Sequence, residues 1–241
     1  MPSALSDARV QKVLARLHRQ GRREAPALIG YVLKRMLLAG LAGRRLIEPD
    51  QRDMIFLRDK LIPLDPYKCR LCYLLCRATD ARRVVEAGTS FGVSTIYLAA
   101  AISDNIRASG GGVVVGSEID PEKVAQARRN LAEAGLEELV ELREGDARDT
   151  LKDAGGAIDF VLIDTWISLA RPVLELIAPQ LRPGAIVACD NVRRFSGAYR
   201  DYLDHVRDPA RGFCSVLIPH RGGLELSLRL RDEGERAAED R

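Results

Sequence analysis

The stretch Arg82-Arg-Val-Val-Glu-Ala-Gly-Thr-Ser-Phe-Gly-Val-Ser-Thr-Ile-Tyr-Leu-Ala-Ala-Ala101 decides the fold. It opens with a short apolar run rich in β-branched residues, which reads as a buried strand. The turn Gly88-Thr-Ser-Phe-Gly92 follows. A helical pattern then begins at Val93, with Ser94 and Thr95 near its start as capping candidates. Gly88 and Gly92 let backbone approach a ligand closely, and the helix start aims free N–H groups outward. The glycine spacing is Glu-x-Gly-x-x-x-Gly rather than Gly-x-Gly-x-x-Gly. That favours a nucleoside without a pyrophosphate over a dinucleotide. A turn with no ligand is the plain alternative.

The next strand strengthens the ligand reading. Gly112-Val-Val-Val-Gly-Ser-Glu118 is followed by Ile119-Asp-Pro-Glu and a helix to about Ala134. Glu118 ends that strand about thirty residues after the glycine turn, where a doubly wound sheet carries an acid for ribose hydroxyls. Asp120, directly before Pro121, is the expected helix cap. Glu118 stands two residues too early for that role.

Composition narrows the class. The chain has 241 residues, 46% of them hydrophobic, and a formal net charge of +3. This suffices for one large core, or one domain with an appendage. Acidic and basic residues are mixed throughout, so nucleic acid is not the expected partner. The N-terminus has no apolar core of a signal peptide, and Lys34-Arg35 split the apolar stretch Ala27–Gly43. A soluble cytoplasmic protein without membrane contact is expected. Cys69, Cys72 and Cys76 fall at helical spacing among leucines and read as a buried face rather than a metal site. Cys189 and Cys214 read as core, with no disulfides.

Residues 1–62 read as a helical N-terminal appendage. Helices are expected over Leu5–Arg22, Glu24–Leu41 and Glu48–Lys60, with apolar faces that pack on the main domain or form a homodimer. Pro63 and Pro66 break the chain, and a helix runs from Asp65 or Pro66 to about Thr79. From Arg82, strands and helices alternate, as in a parallel sheet built from right-handed crossovers. Further strands are expected at Val140–Arg143, Ile158–Asp164, Ala185–Asp190, Phe213–Ile218 and Leu224–Leu230, with helices at Ala170–Leu181 and Gly197–Arg207. The last two strands are joined by Pro219-His-Arg-Gly-Gly223, a hairpin that makes the last strand antiparallel. Residues 231–241 are charged or small and read as a disordered tail. His18 and His205 read as helix-surface residues and His220 as a turn residue.

The strands end in acids: Glu86, Glu118, Asp164 and Asp190, with Asp146 just beyond the third. In an open parallel sheet these ends share one rim, where ligands bind. Asp164 and Asp190-Asn191 should leave neighbouring strands about 4.8 Å apart. Two carboxylates and an amide oxygen there suit a hard cation such as Mg²⁺; without one, the acids repel and one titrates high.

Taken together, Glu-Ala-Gly-Thr-Ser-Phe-Gly-Val-Ser, Gly-Ser-Glu-Ile-Asp-Pro, Glu-Gly-Asp-Ala, Val-Leu-Ile-Asp-Thr-Trp and Ala-Cys-Asp-Asn-Val resemble class I S-adenosylmethionine-dependent methyltransferases. More closely, they resemble the metal-dependent catechol and caffeoyl-CoA O-methyltransferases. The resemblance spans Pro63 to Leu230. It implies an α/β, Rossmann-like seven-stranded sheet with the last strand antiparallel over residues 63–230. It implies S-adenosylmethionine as cofactor, with Gly88, Ser90 and Ser94 around its methionine part, and Glu86 and Gly92 in the same cradle. Glu118 would hold the ribose, Asp146-Ala147 would border the adenine with Trp166 beside it, and Asp164 would also contact the cofactor. Asp164, Asp190 and Asn191 would ligate Mg²⁺ beside a small hydroxylated, aromatic acceptor. Lys68 falls where catechol enzymes carry a lysine near the acceptor, which makes Lys68 and Asp164 the candidate catalytic pair; a solvated helix lysine is the alternative.

Two departures stand out. The general-base lysine of catechol enzymes, three residues after the first metal aspartate, is here Ile167. The C-terminal acid that grips a catechol has no counterpart either. Two rival readings follow: methyl transfer to another nucleophile, such as an amine, without metal, or a cofactor-binding module without catalysis. A nicotinamide dehydrogenase lacks its glycine pattern.

Overall fold

The computed structural model describes residues 3–41, 55–106 and 110–231. Within them seven strands form one sheet, in the order β3-β2-β1-β4-β5-β7-β6. They are β1 (Arg83–Ala87), β2 (Val113–Glu118), β3 (Val140–Glu144), β4 (Ile158–Ile163), β5 (Leu181–Asp190), β6 (Phe213–Ile218) and β7 (Leu224–Arg229). The first five run parallel, and β7 inserts antiparallel between β5 and β6. This is the α/β, Rossmann-like sheet expected of the sequence. Successive residues of β1 and β4 alternate between two apolar layers: Val84, Phe160 and Leu162 face one cluster, Val85, Val161 and Ile163 the other. Strands buried on both faces lose the polar alternation of a half-exposed sheet, which is why they read as continuous apolar runs.

The described α-helices include α1 (Ala8–Leu41), α2 (Pro66–Ala78), α3 (Val93–Ile106), α4 (Pro121–Ala134), α5 (Ala147–Thr150), α6 (Ile167–Ile177) and α7 (Arg200–Arg207). The sheet layer with α2 and α3 includes Cys69, Cys72 and Cys76 as buried core residues. Helices α6 and α7 cover the other face. Cys214, expected in the core, is exposed on β6: this edge strand turns Phe213 inward and the next side chain out.

Helix α1 corrects the expected break between Arg22 and Glu24. It runs for 34 residues through Pro26, about 51 Å at the usual rise. The stretch is tied to the body rather than broken: a Cβ on Gly21 would lie 2.7 Å from the Pro63 ring, and Glu24 accepts the Leu61 N–H at 2.6 Å. Val10, Val13, Leu14 and Leu17 join the core, whereas Ile29, Val32, Leu33 and Leu37 remain exposed. Most of the expected third helix, and tail residues 232–241, lie outside the described residues, although 55–57 are helical. Among the described residues no helix is long and apolar enough to cross a membrane.

Register sets the functional rim. Ala87 pairs with Ile163, and Ile163 with Cys189. Gly88, Asp164 and Asp190 therefore leave three adjacent strands at one level.

Candidate active site

The glycine turn is shaped by that closeness. Gly88 sits at φ +98°, and a Cβ there would lie 2.1 Å from the Asp164 carbonyl oxygen. Only glycine accepts both conditions. Its N–H and that of Thr89 both reach the Ser117 carbonyl at 3.0 Å, fastening the turn to β2. Ser90 is left-handed at φ +50°, and its N–H donates to Glu118 Oε2 at 2.8 Å. The other Glu118 oxygen accepts the Asp120 N–H at 2.9 Å. Asp120 caps α4 as expected. Glu118 thus braces the turn it faces, and each of its oxygens keeps a lone pair for a further donor.

Beneath the turn lies Glu86, fully buried. Its Oε2 accepts from Thr89 Oγ1 at 3.0 Å and from Thr95 Oγ1. Its Oε1 has no hydrogen-bond partner in this geometry. Burial raises the Glu86 carboxyl above its ordinary range; bonds from Ser94, Thr95 and Thr89 oppose this, and the Glu118 charge adds to it. Above the turn, Leu61–Leu64 line a narrow cleft whose other walls are Gly88 to Phe91, Val93, Ser94 and Asp164. Asp146 lies farther along the rim, where it caps α5 and pairs with Arg148. Ala147 is buried at the start of that helix, and Trp166 precedes α6, half-buried. Gly92 takes φ +82° at the start of α3.

On the far side of Asp164 the structure brings together residues distant in sequence. Asp65 caps α2 and so sets the helix start from which Lys68 extends one turn in. Lys68 is 1% exposed, which removes the solvated-lysine alternative. Its ammonium donates to Asp190 Oδ1, to the Arg221 carbonyl at 2.8 Å and to the Gly223 carbonyl at 3.3 Å. With three acceptors for three hydrogens, it serves in this geometry as an electrostatic clamp rather than a base. Burial pushes the Asp190 carboxyl up, against the pull of Lys68. Asp164 goes well above the carboxylate range through burial, then through the charges of Asp190 and Glu86. Asn191 follows at φ +62°, a left-handed conformation that asparagine tolerates, with its N–H on the Gly223 carbonyl at 2.9 Å.

Three acids, Glu86, Asp164 and Asp190, are thus grouped with one ammonium, which pairs with Asp190 and whose charge also reaches Asp164. Extra positive charge suits this rim, and Asp164, Asp190 and the Asn191 amide are hard oxygen donors fit for a divalent cation. Among the described residues no three His, Cys, Asp or Glu converge as a metal centre, so that fit depends on the asparagine. Sequence reasoning missed the Lys68–Asp190 pair and the hairpin carbonyls behind it. It also missed that His220 pairs with Asp65 at 3.0 Å, and that His18, read as surface, is half-buried 3.2 Å from the Tyr97 hydroxyl. The one available signal was Asp65-Pro66-Tyr-Lys68, a capped helix start that points a lysine at the rim. Ile167 opens α6, so no lysine stands at the expected base position.

Comparison with known proteins agrees with this geometry. A methyltransferase-domain family model matches residues 85–192. A catechol O-methyltransferase of Mycobacterium tuberculosis is 37% identical over 153 residues, 63% of this chain and 66% of that protein. The chain thus spans just under two thirds of that relative. A protein of Mycobacterium sp. (strain KMS) named "Putative O-methyltransferase" is 33% identical over 66% of this chain and 76% of its own length. The cofactor-bound crystal structure of Rv0187 from MTB superposes with TM-score 0.65 at 28% identity, covering 81% of this chain and 97% of that one. Sheet order, glycine turn, rim acids and these relatives converge: the chain belongs to the class I S-adenosylmethionine-dependent O-methyltransferase family.

Proposed function

We propose that the protein methylates a hydroxyl of a small, aromatic acceptor with vicinal hydroxyls, using S-adenosylmethionine and assisted by a divalent cation. The observation that carries this reading is the carboxylate cluster of Glu86, Asp164 and Asp190, short of positive charge and adjoining a glycine-lined cleft. When bound, the cofactor supplies an electrophilic methyl carbon on a sulfonium. Gly88, Ser90 and Ser94 would hold its amino-acid end and Glu118 its ribose; the unpartnered Glu86 Oε1 marks a polar demand at the cleft floor. A divalent cation on Asp164, Asp190 and Asn191 would lower the hydroxyl's pKa. The protein's own task is to align the acceptor oxygen within about 3–3.5 Å of the methyl carbon and to exclude water. The Leu61–Leu64 segment supports the second role.

The test is calorimetric titration with S-adenosylhomocysteine, followed by turnover of a catechol panel with Mg²⁺ and after exhaustive chelation. Saturable binding with chelation-sensitive methyl ether formation is expected. Absence of cofactor binding would end the proposal. A second reading is favoured by Lys68: its ammonium already compensates Asp190, so methyl transfer could run without metal. Undiminished turnover after chelation would select it.

The exposed Ile29, Val32, Leu33 and Leu37 of α1 support a homodimer in which a second copy covers this stripe. Leu33→Asp should yield a monomer by sedimentation. A parent protein that sediments as a monomer excludes this arrangement.

A further inference from the structure

We infer that the acceptor carries an anionic group, a carboxylate or a phosphate, apart from the hydroxyl that is methylated; this rests on the methyl-transfer reading above. Two loops meet at the end of β5. The Gly222 carbonyl accepts the N–H groups of Arg193 and Arg194, both at 2.9 Å, and the Gly223 carbonyl accepts that of Asn191 at 2.9 Å. Lys68 reaches the carbonyls of Arg221 and Gly223 from beneath. Arg193, Arg194 and Arg221 are therefore rooted within three residues of Asn191 or on the hairpin fastened to it, and all three are exposed.

Little opposes their charge. Residues 191–199 and 219–223 contain no acid. Arg221 lies 3.3 Å from Asp65, a carboxylate it shares with His220. Arg193 donates to the Pro219 carbonyl at 3.1 Å. Arg194 makes no ion pair among the described residues and sits 6.0 Å over the Phe195 ring. Asp190 is already taken by Lys68.

The chemistry beneath explains why such a rim is useful. Lys68, the buried ammonium beneath, is occupied by Asp190 and two carbonyls and offers an anion nothing. The exposed guanidinium groups beside Asn191 are suited to pair with carboxylate or phosphate in a fork. The anion is thereby held at the solvent side while the hydroxyl points toward Asp164. A neutral catechol has no use for them.

The experiment is calorimetry on the full chain saturated with S-adenosylhomocysteine. The probes are 3,4-dihydroxybenzoate, 3,4-dihydroxyphenyl phosphate and the neutral methyl 3,4-dihydroxybenzoate. At least one anionic probe should bind about tenfold or more tightly than the ester. In Arg194→Gln/Arg221→Gln that ratio should fall to about one, in protein shown folded by circular dichroism. Tighter binding of the carboxylate or of the phosphate identifies the handle. Equal affinities, no binding of any probe, or a preference that survives in the double variant would overturn the inference. Methyl transfer to the probes is scored separately. Ester and acid turned over alike, with equal affinities, discards the anion and keeps the methyltransferase. No methyl ether from any probe discards the methyl-transfer reading instead.

Discussion

The two halves of the rim are built differently. On the β1–β2 side the polar groups come from one contiguous turn, Gly88 to Ser94, plus Glu118 on the next strand. Their hydrogen bonds are mostly backbone to backbone or backbone to carboxylate. On the β5–β7 side, Lys68 joins Asp190 and the hairpin carbonyls across sequence separations of 122 to 155, and Asn191 joins the same hairpin. Their central contact is an ion pair between two buried side chains. The first half is held by conformation that glycine alone permits, the second by charge. The first should therefore fail locally when changed, and the second should fail through desolvated charge.

The largest expected effect is on turnover. Asp164 is the proposed metal-holding carboxylate that makes no ion pair with Lys68, so Asp164→Ala should reduce kcat at least a hundredfold, in the range for loss of one electrostatic catalytic group (about 10²–10³). Its affinity for S-adenosylhomocysteine should change much less. Unaltered kcat would make Asp164 a structural cap and place the chemistry elsewhere.

Next comes stability. Lys68→Met leaves Asp190 buried without a counter-charge, which costs about 3–5 kcal/mol in comparable buried pairs. Denaturant unfolding should show it as a lower midpoint. The double variant Lys68→Met/Asp190→Asn should recover part of the loss, because both charges then leave together. Equal losses in the single and double variants would show that packing, not charge, holds this half.

Glu118→Ala acts on the other half. It removes the acceptor for Ser90 and Asp120 N–H groups and the expected ribose partner. Charge-assisted bonds of this kind contribute about 1.5–3 kcal/mol, so calorimetry should show cofactor affinity reduced about tenfold or more. Unchanged affinity in a folded variant would remove Glu118 from the site.

The smallest effect concerns pH. Folding raises the Glu86 carboxyl, so the native state holds a proton that the unfolded chain releases at lower pH. Stability from this group is present in full below the ordinary glutamate range and is lost as pH rises through the elevated folded value. Glu86→Gln, which keeps a neutral side chain, should flatten that decline in melting temperature. An unchanged slope would assign the decline to other groups.

How much of this the sequence reveals follows from the same contrast. The glycine turn, Glu118 at its strand end and the Asp120 cap are legible because local chain chemistry sets them. Ser90's left-handed turn and the Asp65 cap belong to the same local grammar. Asp164 and Asp190-Asn191 are legible as strand ends, since register alone brings them level. The partner of Asp190 is not, because nothing local to Lys68 tells a buried ammonium from a solvated one. Helix α1 misleads for a related reason. Pro26 and Gly21 weaken a helix locally, yet the contacts of Gly21 with Pro63 and of Glu24 with Leu61 override them. The exposure of Cys214 likewise depends on β6 being an edge, which topology decides.

The central claim is methyl transfer to a hydroxyl at this rim. It is tested most directly by incubating the full chain with S-adenosylmethionine, Mg²⁺ and the catechol panel, and identifying products by mass spectrometry. The account predicts a methyl ether formed in step with S-adenosylhomocysteine. S-Adenosylmethionine that binds but leaves every hydroxyl acceptor unmethylated would contradict it.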